Sequence, residues 1–241
     1  MQDAYVFVSD VHILPHNTEL AERFNSFLDS INHKITRLYI LGDLFDYWVG
    51  PGHEKQREYR CVLDKLHELT DAGIKLFLVH GNRDFFLDRS VEKITGGQVV
   101  GDGITQLIDG RMLHMCHGDS LCKHEKSHLV MQSVLRSRTF RFTYQMLPYS
   151  LRVALARNLR TRSRPSNGHK PGQPAKLWQP AVDSLWESGA DVIICGHTHT
   201  EGRRTMQAGG GERLIYTLGD WSADGSYLWY QNGEFEFRSF G

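Results

Sequence analysis

The strongest constraint on this chain is a repeated arrangement. Five short apolar runs are each followed, within a residue or two, by a polar motif rich in metal-ligating side chains. Tyr5-Val6-Phe7-Val8-Ser9 leads into Asp10-Val11-His12, and Leu38-Tyr39-Ile40-Leu41 leads into Gly42-Asp43. The run from Ile74 to Val79 leads into Gly81-Asn82-Arg83-Asp84, and that from Met112 to Cys116 into His117-Gly118-Asp119. The run from Asp191 to Cys195 leads into Gly196-His197-Thr198-His199. Runs of this length, rich in β-branched and aromatic residues, read as buried strands. In α/β sheets, ligand sites gather beyond the carboxyl ends of the strands. A fold that aligns these strand ends brings Asp10, His12, Asp43, Asn82, His117, His197 and His199 to one edge.

Helical spacing fills the gaps between the first strands. Leu20, Phe24, Phe27, Leu28 and Ile31 mark one helix; Tyr59, Val62, Leu63, Leu66 and Leu69 mark a second. Strand and helix in alternation predict a layered α/β fold. Later the pattern turns to hairpins, around Asp109-Gly110 and around Gln231-Asn232-Gly233, and these strands extend the sheet or form a second one. Four cysteines, Cys61, Cys116, Cys122 and Cys195, include no Cys-x-x-Cys pair and are expected to be reduced core residues. No basic and apolar leader precedes Tyr5 and no apolar run is long enough to span a membrane, so the expected location is cytoplasmic.

The formal net charge of zero hides a segregation. Between Glu125 and Asp183 there is no acidic residue, while eight arginines and three lysines give that stretch +11 and leave the rest of the chain at −11. Its first two thirds read as helices, and from Ser163 to Pro180 four prolines with Ser, Asn and Gly read as a loop. We therefore divide the chain into a core, 1–124 and 181–241, and an inserted basic, apolar helical cap, 125–180. Charge asymmetry of this kind points to an anionic partner.

The ligand types limit the chemistry. Oxygen ligands alone favour Mg²⁺ or Ca²⁺; mixed imidazole, carboxylate and amide ligands suit Mn²⁺, Fe²⁺ or Zn²⁺. Seven ligands exceed the needs of one ion and suit two ions sharing a carboxylate. Two such ions, about 3.5–4 Å apart, clamp the attacking and leaving oxygens of a phosphoryl displacement and generate hydroxide from bound water. Glycines before Asp43, Asn82 and His197 permit close backbone approach. Asp84 and Asp119 read as residues that orient the loops.

In these motifs the sequence resembles the calcineurin-like metallophosphoesterases: an Asp-x-His, a Gly-Asp, a Gly-Asn, a His and a final Gly-His-x-His are all present. The resemblance covers essentially everything outside the cap. It implies that Asp10, His12, Asp43 and His199 hold one metal, that Asp43, Asn82, His117 and His197 hold the other, and that Asp43 bridges. It implies layered β-sheets flanked by helices. The residue after Asn82 narrows the substrate. Arg83 cannot donate a proton to a poor alkoxide leaving group, but it offers a fork of donors to phosphate oxygens. That favours a diphosphate, whose leaving group needs no proton.

Longer segments resemble the bacterial UDP-2,3-diacylglucosamine hydrolases of lipid A biosynthesis. They are Gly42 to Gly50, His80 to Phe85, His117 to Cys122, and Leu218-Gly219-Asp220-Trp221 with Gly225-Ser226. That resemblance implies hydrolysis to UMP and 2,3-diacylglucosamine 1-phosphate with Mn²⁺, by a peripheral enzyme on the inner face of the bacterial inner membrane. The cap pattern Ser-x-x-x-Asn-x-x-Lys maps onto Ser163, Asn167 and Lys170. Glu125 and His128 stand where the family usually has Asp and Tyr. The implied substrate-binding set is Asn82, Arg83, Glu125, His128, Arg160, Ser163, Asn167, Lys170 and His197; the implied catalytic set is Asp43, Asn82, Arg83 and His117. A soluble nucleotide pyrophosphatase of the same fold is the runner-up, and a non-catalytic scaffold would have lost ligands that this chain keeps. No nucleic-acid-binding motif is present.

Overall fold

The computed structural model describes residues 3–122, 137–162, 177–208 and 211–241. Two sheets stack face to face. The first has the order β11-β10-β1-β2-β3-β4 and the second β5-β6-β7-β9-β8. Strands β1 (Ala4–Val8), β2 (Arg37–Leu41) and β3 (Lys75–Val79) run parallel, joined by helices α1 (Thr18–Ile31) and α2 (Arg57–Asp71). A short helix α3 (Arg89–Thr95) and strand β4 (Gln98–Val99), neither signalled by the sequence pattern, close that edge. In the second sheet β6 (Arg111–Cys116), β7 (Val192–Cys195) and β9 (Gly211–Thr217) are parallel to one another, with β5 (Gly103–Ile108) and β8 (Gly202–Ala208) outside them.

Strand residues alternate between two cores. Tyr5, Phe7, Tyr39, Leu41 and Phe77 meet Met115, Ile194 and Tyr216 between the sheets. Val6, Val8, Leu38, Ile40 and Leu78 face Phe24, Phe27, Tyr59 and Leu66 of α1 and α2. Beneath the second sheet, Cys116, Cys195 and Ile193 pack with Val182 and Trp186 of α6 (Gln179–Glu187). Strands buried on both faces explain the continuous apolar runs. Of the four cysteines, Cys116 and Cys195 are core as expected, but Cys61 is exposed on α2.

Both hairpins close as two-residue turns. Asp109 and Gly110 take positive φ with Ile108 opposite Arg111; Asn232 and Gly233 do the same with Gln231 opposite Glu234, so Gln231 belongs to β10 (Gly225–Gln231) rather than to the turn before β11 (Glu234–Phe240). The interval read as loop gives way to helix earlier than expected: α6 starts at Gln179, with Pro180 in its first turn, where a missing N–H costs nothing.

From the acid-free interval the structure describes α4 (Arg138–Gln145) and α5 (Tyr149–Arg162). They dock on the loops after β2 and β3. Tyr144 stacks on Phe86 at 4.5 Å, and Arg152 donates to the Val49 and Pro51 carbonyls at 2.5 and 2.9 Å. Arg152 thus serves the joint between helix and loop, not a soluble anion. Glu125, His128, Ser163, Asn167 and Lys170 lie outside the described residues, as does the Arg160 side chain.

Candidate metal centre

Register decides where the motifs meet. Val8 pairs with Ile40, Leu41 with Val79 and Cys116 with Cys195, so parallel strands end level in each sheet. The residues that follow form one rim. Five of the seven predicted ligands, Asp10, His12, Asp43, His197 and His199, have φ between 52° and 66°. Left-handed backbone is costly for residues with a Cβ and persists where the surroundings over-determine it. Here the surroundings are tight: a methyl group on Gly81 would strike the Asp43 carboxylate, and one on Gly196 would strike Ser9 and Asp10. Asp84 ties the loops down, accepting from the N–H groups of Asp43, Leu44, Phe45 and Gly81 at 2.9–3.4 Å. That matches its expected orienting role.

All seven predicted ligands come together. His12 Nε2 lies 3.4 Å from His199 Nε2, and Asp10 Oδ1 is 3.7 and 3.4 Å from these two atoms. Asp43 Oδ2 lies 3.8 Å from His12 Nδ1 and 3.7 Å from His117 Nε2, between the two histidines. His117 Nε2 is 3.1 Å from the Asn82 amide and 3.2 Å from His197 Nδ1. His117 Nδ1 donates to the Leu41 carbonyl at 3.0 Å, which fixes its tautomer and aims Nε2 at the cluster. Two triads have donor atoms within 4.8 Å of one another: Asp10, His12 and His199, and Asp10, Asp43 and His117.

The electrostatics are crowded. Burial pushes the Asp43 carboxyl up to about 7, opposed by His117 and reinforced by Asp84 and Asp10. Burial alone would lower His117, but the carboxylates of Asp43, Asp10 and Asp119 hold it at about 9. His12 is pressed down to about 2 by burial and by Arg83, His199 and His117. Asp10 Oδ1 and His12 Nδ1 are buried with no hydrogen-bond partner. Buried acceptors without donors, each 3.4–3.8 Å from other predicted ligand atoms, fit divalent cations, and cation binding would displace the protons held here. The donor set of carboxylate, imidazole and amide suits a borderline transition ion.

Two flanking carboxylates were not singled out by sequence reasoning. Asp220 Oδ2 lies 2.9 Å from His199 Nδ1; this hydrogen bond raises the His199 pKa, and with Ser222 it draws Asp220 down to about 2 against its burial. Asp46 accepts from Arg83 Nη1 at 2.7 Å, while the Arg83 backbone N–H donates to Asp43 at 2.9 Å. The available signal was positional: Gly219-Asp220 is another Gly-Asp just past a strand, β9, that ends at Thr217.

Known proteins resemble this chain. Residues 5–201 match the family model of the calcineurin-like phosphoesterases. A UDP-2,3-diacylglucosamine hydrolase of Cellvibrio japonicus (strain Ueda107) is 32% identical over 91% of this chain and 92% of its own. One of Haemophilus influenzae (strain Rd) is 30% identical over 98% of this chain and 99% of its own. Among solved structures, an archaeal phosphodiesterase aligns over 98% of this chain with a TM-score of 0.48 and 13% identity. The chain belongs to the calcineurin-like phosphoesterase family, hydrolases that work with divalent metal ions.

Proposed function

We propose that this protein hydrolyses the diphosphate of UDP-2,3-diacylglucosamine to UMP and 2,3-diacylglucosamine 1-phosphate. Asp10, His12, Asp43 and His199 would hold one divalent ion and Asp43, Asn82, His117 and His197 the other, Mn²⁺ in both places. When bound, the ions supply Lewis-acid charge stabilisation and acidify water. The chain's own residues do the rest. Asp220 orients the His199 ring; Asp84 and the Leu41 carbonyl fix the loops and the His117 ring. Arg83 carries the reading. It sits at the rim beside Asp43 and Asp46, one third exposed, where a proton donor would serve an alkoxide leaving group. A guanidinium there instead holds phosphate oxygens, the need of a substrate whose leaving group is itself a phosphate.

The lipid part of the reading rests on the helices and on the named relatives. Phe142, Met146, Leu151 and Leu155 leave 40–73% of their surfaces exposed on α4 and α5. A cluster of exposed apolar side chains among arginines suits acyl chains beside an anionic headgroup, at the inner face of a membrane. Glu125, His128, Arg160, Ser163, Asn167 and Lys170 complete the proposed contacts to sugar and acyl groups. No helix among the described residues is long and apolar enough to cross a membrane.

Purified protein with Mn²⁺ and UDP-2,3-diacylglucosamine should release UMP, and hydrolysis in ¹⁸O-labelled water should place the label in UMP. Label in the sugar phosphate would reverse the choice of phosphorus. Cleavage of small nucleotide pyrophosphates with none of the acylated substrate would replace this reading with that of a soluble pyrophosphatase.

A further inference from the structure

The rim has a second neighbour besides the helices. A cavity of about 330 Å³ opens from Asp10 and His12, within the size range of small-molecule sites. Val11, Leu14 and Leu20 supply apolar wall; Asn17, Glu19, Arg23 and Ser222 supply polar groups. The cavity is formed by the segment from Asp10 to Arg23, which enters α1, and by the loop from Asp220 to Ser222. The contacts that seat α4 and α5 lie elsewhere, on Tyr47, Val49, Pro51, His53, Gln56, Phe86 and Asp88 of the loops after β2 and β3. In the first sheet β10, β1, β2 and β3 are neighbours in that order. The cavity is therefore on the β1 side of the rim and the helices are on the β2 and β3 side.

We propose that this cavity is the nucleoside subsite: the uridine half of the substrate enters it while the acylated half runs the other way, across Asp43 and Arg83 to α4 and α5. The inference rests on the diphosphate reading given above. A substrate cleaved between two phosphates must extend in two directions from the reacting centre, and the rim offers two receiving surfaces of different character. The exposed apolar one suits acyl chains. The cavity mixes a few apolar walls with polar side chains, which suits a flat heterocycle bearing carbonyls and a ribose bearing hydroxyls.

One donor strengthens the assignment. Asn17 Oδ1 caps α1 by accepting the Leu20 N–H at 3.3 Å, which leaves its NH₂ group for a ligand carbonyl. Arg23 Nε and Trp221 Nε1, in two of the lining residues, are buried N–H donors without a hydrogen-bond partner. Both atoms are almost without accessible surface, so they shape the wall rather than reach into the cavity. Arg23 also donates to the Trp221 and Ala223 carbonyls, and Trp221 packs edge-on against Phe24 and Phe27, so the far wall is held rigidly.

Two variants test the subsite without disturbing the metal ligands. Asn17→Asp keeps a competent helix cap but replaces the NH₂ group with a charge. Leu14→Trp fills the cavity. Uridine is the first probe, because it has no phosphate to engage a cation. Saturation-transfer NMR should detect it on the full-length protein and lose most of the signal in both variants. In assays with Mn²⁺, inhibition by UMP should weaken about tenfold and KM for UDP-2,3-diacylglucosamine should rise by a similar factor, roughly the loss of one good contact. Inhibition by 2,3-diacylglucosamine 1-phosphate should not change. Folded variants that keep the uridine signal would overturn the assignment, as would variants that weaken only the acylated product. If the unaltered protein leaves the acylated substrate intact but the variants still lose uridine, the proposed reaction fails and the subsite stands.

Discussion

The metal-type rim and the paired helices α4 and α5 are built on opposite plans. At the rim, Asp10, Asp43 and His117 are fully buried or nearly so, and five of the predicted ligands accept left-handed backbone to reach their places. In the helices the usual partition is reversed. Arg152 is 7% exposed and bonded to backbone carbonyls, while Phe142 and Met146 are about 70% exposed. One region accepts backbone strain to fix a few atoms in place. The other leaves apolar surface uncovered and anchors itself with a cation. The first plan suits a reaction that every substrate of the family shares. The second suits recognition of one particular apolar group, whose fit depends on area more than on angle.

Changes at the rim should act on every substrate and changes on the helices on one. The largest effect belongs to Asp43. Asp43→Ala should drop turnover of both UDP-2,3-diacylglucosamine and bis-p-nitrophenyl phosphate to background and lower the metal content seen by elemental analysis. Normal occupancy with a normal rate would remove Asp43 from the centre. Next is Asp220→Asn, which keeps the shape but weakens the hold on His199 Nδ1. Partners of this kind are worth about 10–100-fold in metal affinity or activity. Titrating Mn²⁺ into the variant should show the loss on both substrates equally. Smaller again, the pair Phe142→Glu and Met146→Glu should cost about tenfold in kcat/KM on the acylated substrate, since remote binding energy positions the reacting phosphorus. The small diester should be cleaved as before. Equal losses on both substrates would erase the distinction between the two regions.

The same contrast explains what could be read from the sequence. The rim was legible because its chemistry needs particular residue types, and parallel strands must end where their apolar runs end; Asp10, Asp43, Asn82, His117 and His197 each follow such a run directly. The two hairpins were legible because Asp109-Gly110 and Asn232-Gly233 tolerate the positive φ their turns require. What escaped depended on tertiary placement. Asp46 and Asp220 look like ordinary loop carboxylates until Arg83 and His199 are beside them. Strand β4 has two residues, too few for any period, and exists because Phe77 and Leu78 offer it an edge. Arg152 read as one arginine among eight, and only its distance to the Val49 and Pro51 carbonyls shows that it is a joint.

The last predicted effect is on stability rather than turnover and lies at the seam between the two regions, where α5 meets the loop after β2. His53 is fully buried there, its ring within 4.8–6.0 Å of Tyr47, Trp48, Tyr59 and Tyr149. Nδ1 accepts the Val49 N–H at 3.1 Å, so the ring is neutral with its proton on Nε2. Burial, with Arg152 and Arg157 nearby, lowers its pKa to about 3. The unfolded chain binds this proton near the ordinary value of 6.5, so between pH 6.5 and 3 it holds more protons than the folded one. Stability from this residue is therefore complete above about pH 6.5 and falls as pH drops through that window. Between pH 7 and 5 the loss is about 2 kcal/mol. His53→Gln retains an acceptor for the Val49 N–H without a group that titrates in this range. Urea unfolding at the two pH values should show a smaller acid loss in the variant by about that amount, whatever its stability at pH 7. Parallel losses in variant and parent would mean that His53 is protonated in the folded chain, and that the arginines of the helices do not set the charge state of the loop on which they rest.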